Sequence, residues 1–283
     1  MRVRVLLSVL VTVVVLALAG VYVAARYIGA YFGSSTARNS CTVTADGVVV
    51  LDVDQLANAA TIAAVGVRRD LPERAVTVAL ATAYQESTMR NLSGGDRDSV
   101  GLFQQRPSQG WGTVEQVGDP RYASGKFYDR LVTIPDWESM RVTDAAQAVQ
   151  ISAFPELYEQ WADRAEVLTR ALLGTAGQAV ACTLPRGPGV RGESAVRSLL
   201  DEVRLDWGML GTSSADLDSL TVALRPNDEQ SGWRYAHWLV ARAQGHGVRA
   251  VRYDGMEWTT QQSTWKSVNA SSDSAVVVAE VYS

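Results

Sequence analysis

The first pattern along the chain is an uncharged run from Val5 to Ala25, "VLLSVLVTVVVLALAGVYVAA", preceded by Met-Arg-Val-Arg and closed by Arg26. At about 1.5 Å per helical residue, such a run matches a hydrocarbon core of about 30 Å. Arg2 and Arg4 then predict a cytoplasmic N-terminus with everything after Arg26 outside, a single-pass arrangement at the cell membrane. The alternative is a cleaved signal with Ala17-Leu18-Ala19 as its cleavage motif. Signal cores run only about 7–15 apolar residues, which favours the retained anchor. In either case the bulk of the chain is expected to be exported. Residues 26–47 mix small and polar positions, such as Gly33-Ser34-Ser35-Thr36, and read as a spacer.

From Val48 to Gly174 the apolar spacing is mainly helical. "DVDQLANAATIAAVGVR" predicts a first helix, "PERAVTVALATAYQES" a second with Pro72 at its start, and "DAAQAVQ" the beginning of a later one. Strand signals there are sparse, so residues 48–182 predict a mainly α domain. Two Pro and three Gly in residues 183–194, "TLPRGPGVRGES", predict a linker. Beyond it the texture changes. "SAVRSLLDEVRLD" and "GWRYAHWLVARAQGHG" read as helices, while "LTVAL", "VRAVRY" and "SAVVVAEVY" read as strands, which predicts a small α/β domain over 195–283.

Composition narrows the function classes. A chain of 283 residues with 47% hydrophobic positions has ample core, and a net charge of −4 with scattered Lys and Arg gives no footprint for nucleic acid. Cys41 and Cys182 are the only cysteines. In an exported chain two distant thiols predict a disulfide rather than a metal or redox pair. Closing so long a loop contributes on the order of 5 kcal/mol by the chain-entropy relation, an upper bound.

Between Ala75 and Tyr84 the only polar residues are Thr77 and Thr82, so the second helix is apolar nearly all round and should run through the middle of its domain. Its end carries Glu86. Partial desolvation and the negative end of the helix dipole both disfavour ionisation there, and a carboxyl kept protonated near neutral pH can act as a general acid.

Around this glutamate the residues carry a resemblance. Glu86-Ser87, then Gly101-Leu102-Phe103-Gln104 fifteen residues after the glutamate, then Pro107, resembles the lytic transglycosylase pattern of the lysozyme-like superfamily over about residues 48–182. The resemblance implies a mainly α lysozyme-like domain acting on the β-1,4 bond between N-acetylmuramic acid and N-acetylglucosamine in peptidoglycan. Glu86 would be the catalytic acid and then the base, Ser87 would orient it, and Gln104 would face the saccharide cleft. Gly101 and Leu102 would shape the loop, and neither metal nor cofactor would be needed. Ser87 also reads simply as a helix-end hydroxyl. The implied partners are peptidoglycan glycan strands, the cytoplasmic membrane through the N-terminal helix, and other wall-synthesis or export proteins.

Asp96 and Asp98, in "GGDRDS", stand where true hydrolases sometimes place a second carboxylate that activates water. Beside Gly-Gly they also read as turn residues bonded to local amides. Of the aromatics Trp111, Tyr122, Tyr128 and Trp137, Trp111 lies among Gly and Ser and is the expected saccharide contact, whereas Tyr128 is expected in the core. One departure stands out. The family carries Ala-Tyr-Asn-Ala-Gly on a later helix, and this chain has Ala148-Val149-Gln150-Ile151-Ser152-Ala153-Phe154-Pro155 instead. Gln150 or Ser152 is expected to supply the missing polar contacts. The departure leaves open a catalytically silent module that binds wall glycan as a scaffold.

Four of the eight tryptophans, Trp233, Trp238, Trp258 and Trp265, fall in the C-terminal part with both histidines, His237 and His246. Two histidines without cysteines or a close His pair are too few for zinc. His237 is expected to be half-buried and His246 to lie on the surface. This part loosely resembles α/β domains attached to actinobacterial wall hydrolases and related to zinc D-Ala-D-Ala peptidases, without their His-Asp-His ligands. It reads as a metal-free accessory domain that binds wall through exposed Trp233 and Trp265, with Trp238 and Trp258 in the core.

Overall fold

The computed structural model describes residues 39–152, 155–184, 187–208, 213–268 and 275–283. The expected membrane span at Val5–Ala25 lies outside them. Among the described residues no helix is long and apolar enough to cross a membrane.

The end of the stretch expected as a spacer, 26–47, forms a strand, while residues 26–38 lie outside the described residues. β1 (Ser40–Thr44) and β2 (Val48–Asp52) form an antiparallel hairpin around Asp46-Gly47, with Asp46 in the left-handed region that such turns require. Cys41 and Val43 point inward and Thr42 and Thr44 outward, the strand period of two. β3 (Val180–Thr183) pairs with the other edge of β1, giving the order β2-β1-β3. Cys41 stands directly opposite Cys182 across that pair, and the two are joined in the expected disulfide.

Asp52 ends β2 and caps α1 (Val53–Arg68). Its carboxylate accepts from the Gln55 backbone N–H at 2.9 Å, while the Gln55 side-chain Oε1 accepts from the Asp52 N–H at 2.9 Å. α2 (Glu73–Ser87) starts at Pro72 and is buried without interruption from Ala75 to Tyr84. It is the central helix, as its all-round apolar sequence requires. The remaining helices of this half are α3 (Val114–Val117), α4 (Pro120–Leu131), α5 (Val142–Gln150) and α6 (Ala162–Leu172), with a 3₁₀ segment at Pro155–Trp161. Helices α1, α4, α5 and α6 and the 3₁₀ segment all pack on α2.

Beyond residue 187 come α7 (Gly192–Trp207), β4 (Ser213–Asp216), β5 (Thr221–Leu224), α8 (Glu229–His246), β6 (Val248–Tyr253), β7 (Met256–Thr259), β8 (Lys266–Ser267) and β9 (Val277–Val281). The strands make one antiparallel sheet in the order β4-β5-β9-β6-β7-β8. α8 packs on β6 and β9 and also touches α1, α6 and β3. Asn39–Ser283 is one compact unit.

The expected fold class is therefore overturned. The described chain is about half helical with two antiparallel sheets, of three and six strands, not a mainly α domain followed by a small α/β one. The physical reason is that β1 and β2 are too short to outweigh the helical pattern around them. β3 finds its partner far away in sequence, where no local periodicity can reveal it.

The tryptophans follow the same correction. Trp233 and Trp265 are only 3% and 8% exposed, not surface residues. Their rings meet edge to face at 5.3 Å, and the Trp265 Nε1–H donates to Val180 O at 2.8 Å. Both belong to the core between α8 and the sheets, so wall binding through them is withdrawn. His246 is also not a free surface imidazole, since its Nδ1 lies 2.8 Å from Ser198 Oγ.

His237 is fully buried rather than half-buried. Its Nδ1–H donates to Ala171 O at 2.7 Å, and its Nε2 accepts from the Ala179 N–H at 3.0 Å. The ring thereby joins α8 to the end of α6 and the start of β3 as one fixed neutral tautomer. Burial lowers its pKa from 6.5 to about 4. Between those values the unfolded chain binds the extra proton, so stability falls as pH drops from about 6.5 to about 4, by about 3 kcal/mol in total. Urea unfolding across that range should show the slope in the native chain and lose this component in His237→Asn.

Candidate active site

The central helix delivers its last turn to a surface cleft. After Ser87, Thr88 and Met89 take left-handed backbone angles, and their N–H groups donate to Tyr84 O at 2.9 Å and Ala83 O at 3.1 Å, which stops the helix abruptly. Met89 is wholly buried and anchors the exit. Glu86, one residue before the end, is left half-buried with its carboxyl facing a cleft of ≈ 520 Å³.

The opposite wall is the 92–105 loop, closed by bridges between Leu92 and Gly101 and between Val100 and Gln105. Gly101 sits at φ +82°, and a Cβ there would lie 2.3 Å from Val117 O, so only glycine fits. Ser87 Oγ lies 2.8 Å from Leu102 O and 3.1 Å from Ala83 O. This hydroxyl ties the helix end to the loop instead of holding the Glu86 carboxyl. Gln104 lines the cleft, but its amide is committed locally: Oε1 accepts from Ser99 Oγ at 2.9 Å and Nε2 donates to Gly101 O at 3.1 Å.

The partners of Glu86 come from elsewhere. Tyr158, buried in the 3₁₀ segment, donates its hydroxyl to Glu86 Oε1 at 2.6 Å. The Gln150 side chain hydrogen-bonds the same carboxyl, and its Nε2 also donates to Phe103 O at 2.7 Å. The Ser152 side chain hydrogen-bonds Tyr158 in turn. Burial raises the Glu86 pKa, and the bonds from Tyr158 and Gln150 pull against that rise. Burial, followed by the charge of Glu86, pushes the Tyr158 phenol far up, so it stays a donor.

The two aspartates separate. Asp98 is not among the cleft-lining residues: Oδ2 accepts from the Ser108 N–H at 2.8 Å, and Oδ1 from Arg106 Nε at 2.8 Å and Ser108 Oγ at 3.0 Å. These bonds, the Ser108 N–H first, hold its carboxyl well below the usual range, which is the turn chemistry of an Asx residue. Asp96 does line the cleft, with its side chain 92% exposed and Arg97 at 3.8 Å. Trp111 contributes to the lining while nearly buried, its ring covered by the Arg130 guanidinium at 4.9 Å. Tyr128 is core, donating to Ile62 O at 3.0 Å, and Trp137 is buried too.

The structure thus gathers Glu86, Gln104, Trp111, Gln150, Ser152 and Asp96 at one cleft and keeps Asp98 out of it. Sequence reasoning missed Tyr158. The only signal was the aromatic pair Tyr158 and Trp161 at one-turn spacing, and Trp161 itself stacks on Tyr84 at 5.0 Å beside the same helix end. Chemically, the site offers one carboxyl with a raised pKa, steadied by two neutral donors in a polar groove.

No protein-family model matches the chain, and a search of curated proteins finds no match.

Proposed function

We propose that the protein is a peptidoglycan lytic transglycosylase in which Glu86 serves as both acid and base. The observation that carries this reading is the Glu86 carboxyl itself, raised by burial, turned into a polar cleft, and bonded by Tyr158 and Gln150 rather than by a cation. Protonated, it gives its proton to the glycosidic oxygen as the bond to C1 breaks. Ionised, it takes the proton from the muramic C6 hydroxyl, whose oxygen closes onto C1 as a 1,6-anhydro ring. The carboxyl ends the cycle protonated again. Tyr158 and Gln150 favour the carboxylate midway, when it must exist, while burial favours the acid before and after.

The resemblance in the Glu86-Ser87 to Gly101–Gln104 spacing supports the same chemistry. Asp98 is committed to Arg106 and Ser108, which weakens the hydrolytic alternative, and Asp96 is the candidate that remains for it. A silent glycan-binding scaffold would account for the cleft but gives no use for a carboxyl whose pKa burial raises and whose oxygen Tyr158 bonds within it. The Cys41–Cys182 bridge supports an oxidising compartment outside the cytoplasm, where the wall is found.

The reading is tested by release of soluble muropeptides from purified peptidoglycan, expected from the native protein and absent after Glu86→Gln. Tyr158→Phe adds a mechanistic check. Loss of its donated bond lets the Glu86 pKa rise further, so the alkaline limb of the pH–rate profile should move to higher pH while the maximal rate falls. An unmoved limb would show that Tyr158 does not act on the acid.

A further inference from the structure

Ile151 is out of place by ordinary chain physics. It ends α5 in the left-handed region, at φ 54° and ψ 46°, and its N–H donates to Gln147 O. Glycine or asparagine is the usual residue at such a position, because a Cβ crowds the backbone there and a β-branched side chain crowds it more. Among the described residues only Thr88 and Ile151 are β-branched with positive φ, and both flank the Glu86 site.

The turn itself has a clear use. Reversing at residue 151 lets Gln150 reach Glu86 and Phe103 O while Ser152 reaches Tyr158. A glycine would make that turn without strain, so the turn does not explain the isoleucine. Packing does not explain it either. The side chain is 69% exposed and lines the cleft beside Gln150 and Ser152, in a wall that is otherwise mostly polar. A large apolar group held by the surrounding fold at a strained backbone position and left open to a groove is the kind of outlier that clusters at ligand clamps.

We propose that Ile151 is a specificity-determining residue that packs on the apolar face of an N-acetylated aminosugar beside the bond to be cleaved. It rests on the glycan-cleaving reading of the cleft. An acetamido methyl and the C–H face of a pyranose are the apolar surfaces such a polymer offers, and a branched aliphatic side chain covers either without competing for its hydroxyls. Gln150 is engaged with the acid and Ser152 with Tyr158, so residue 151 is where this turn touches substrate directly.

The test uses the full chain carrying Glu86→Gln, so that glycan is bound and not consumed, titrated with peptide-free glycan strands from peptidoglycan. Adding Ile151→Gly should weaken binding about five- to tenfold, the scale of losing a partly buried aliphatic contact. The same change should hold the melting temperature or raise it by up to about 4 °C, because the left-handed strain is relieved. Ile151→Asn, which tolerates the backbone but is polar, should weaken binding similarly, and Ile151→Leu should retain most of it. Unchanged affinity in the Gly and Asn variants overturns the inference. Absence of glycan binding by the Glu86→Gln chain itself overturns the glycan reading, and this inference with it.

Discussion

Glu86→Gln is expected to lower turnover on peptidoglycan by at least about a hundredfold, the smaller end of the range for general acid–base catalysis. The amide keeps the shape of the carboxyl, and its oxygen can still accept from the Tyr158 hydroxyl, so the cleft should keep its geometry. Only the transferable proton is lost. Stability should move the other way. A carboxyl whose folded pKa lies above its unfolded value costs stability once pH rises through the unfolded pKa, because ionisation then favours the unfolded chain. At neutral pH the neutral amide removes that cost, so the melting temperature should rise as activity disappears. Such opposed shifts separate a catalytic acid from a helix-end carboxylate, whose replacement would leave turnover unchanged.

The second large effect is expected at Asp206. Its side chain is fully buried at the end of α7 and accepts from Arg121 Nε at 2.6 Å, Trp238 Nε1 at 2.7 Å and Arg242 Nη2 at 2.5 Å. Arg242 also reaches Thr61 of α1, so one carboxylate joins α1, α4, α7 and α8. Asp206→Ala would leave Arg242 buried without its closest counter-charge, since Glu202 lies 3.6 Å from its Nε, and would orphan the Trp238 N–H. A loss of about 3–5 kcal/mol is expected. Because these helices come from both ends of the compact unit, tryptophan fluorescence and far-ultraviolet circular dichroism should report one coincident urea transition in the native chain. A C-terminal part that stays folded in Asp206→Ala while the rest melts would contradict the shared core.

What could be read from the sequence was whatever one segment decides alone. The apolar circuit from Ala75 to Tyr84 placed α2 at the centre, and the glutamate at its end followed from that. Two cysteines in one chain allowed a single pairing. The Asp46-Gly47 turn is equally local, but strands of five residues on either side offer too few alternations to outweigh the helical runs nearby. What escaped was set by partners distant in sequence. β3 pairs with β1 across the whole helical region, Tyr158 reaches Glu86 from a separate 3₁₀ segment, and Trp233 and Trp265 are covered by elements that their own neighbourhood does not reveal. Gln150 and Ser152 were legible as replacements for missing polar contacts, but not the left-handed turn at Ile151 that aims them.

The central claim, that Glu86 cuts glycan by closing the muramic C6 oxygen onto C1, is tested most directly by the masses of the released muropeptides. Native protein incubated with purified peptidoglycan should release products one water lighter than their hydrolytic counterparts, and the Glu86→Gln protein should release none. Products at the full hydrolytic mass would contradict the account and turn attention to water activated by Asp96. Identical release by native and Glu86→Gln protein would remove Glu86 from the chemistry altogether.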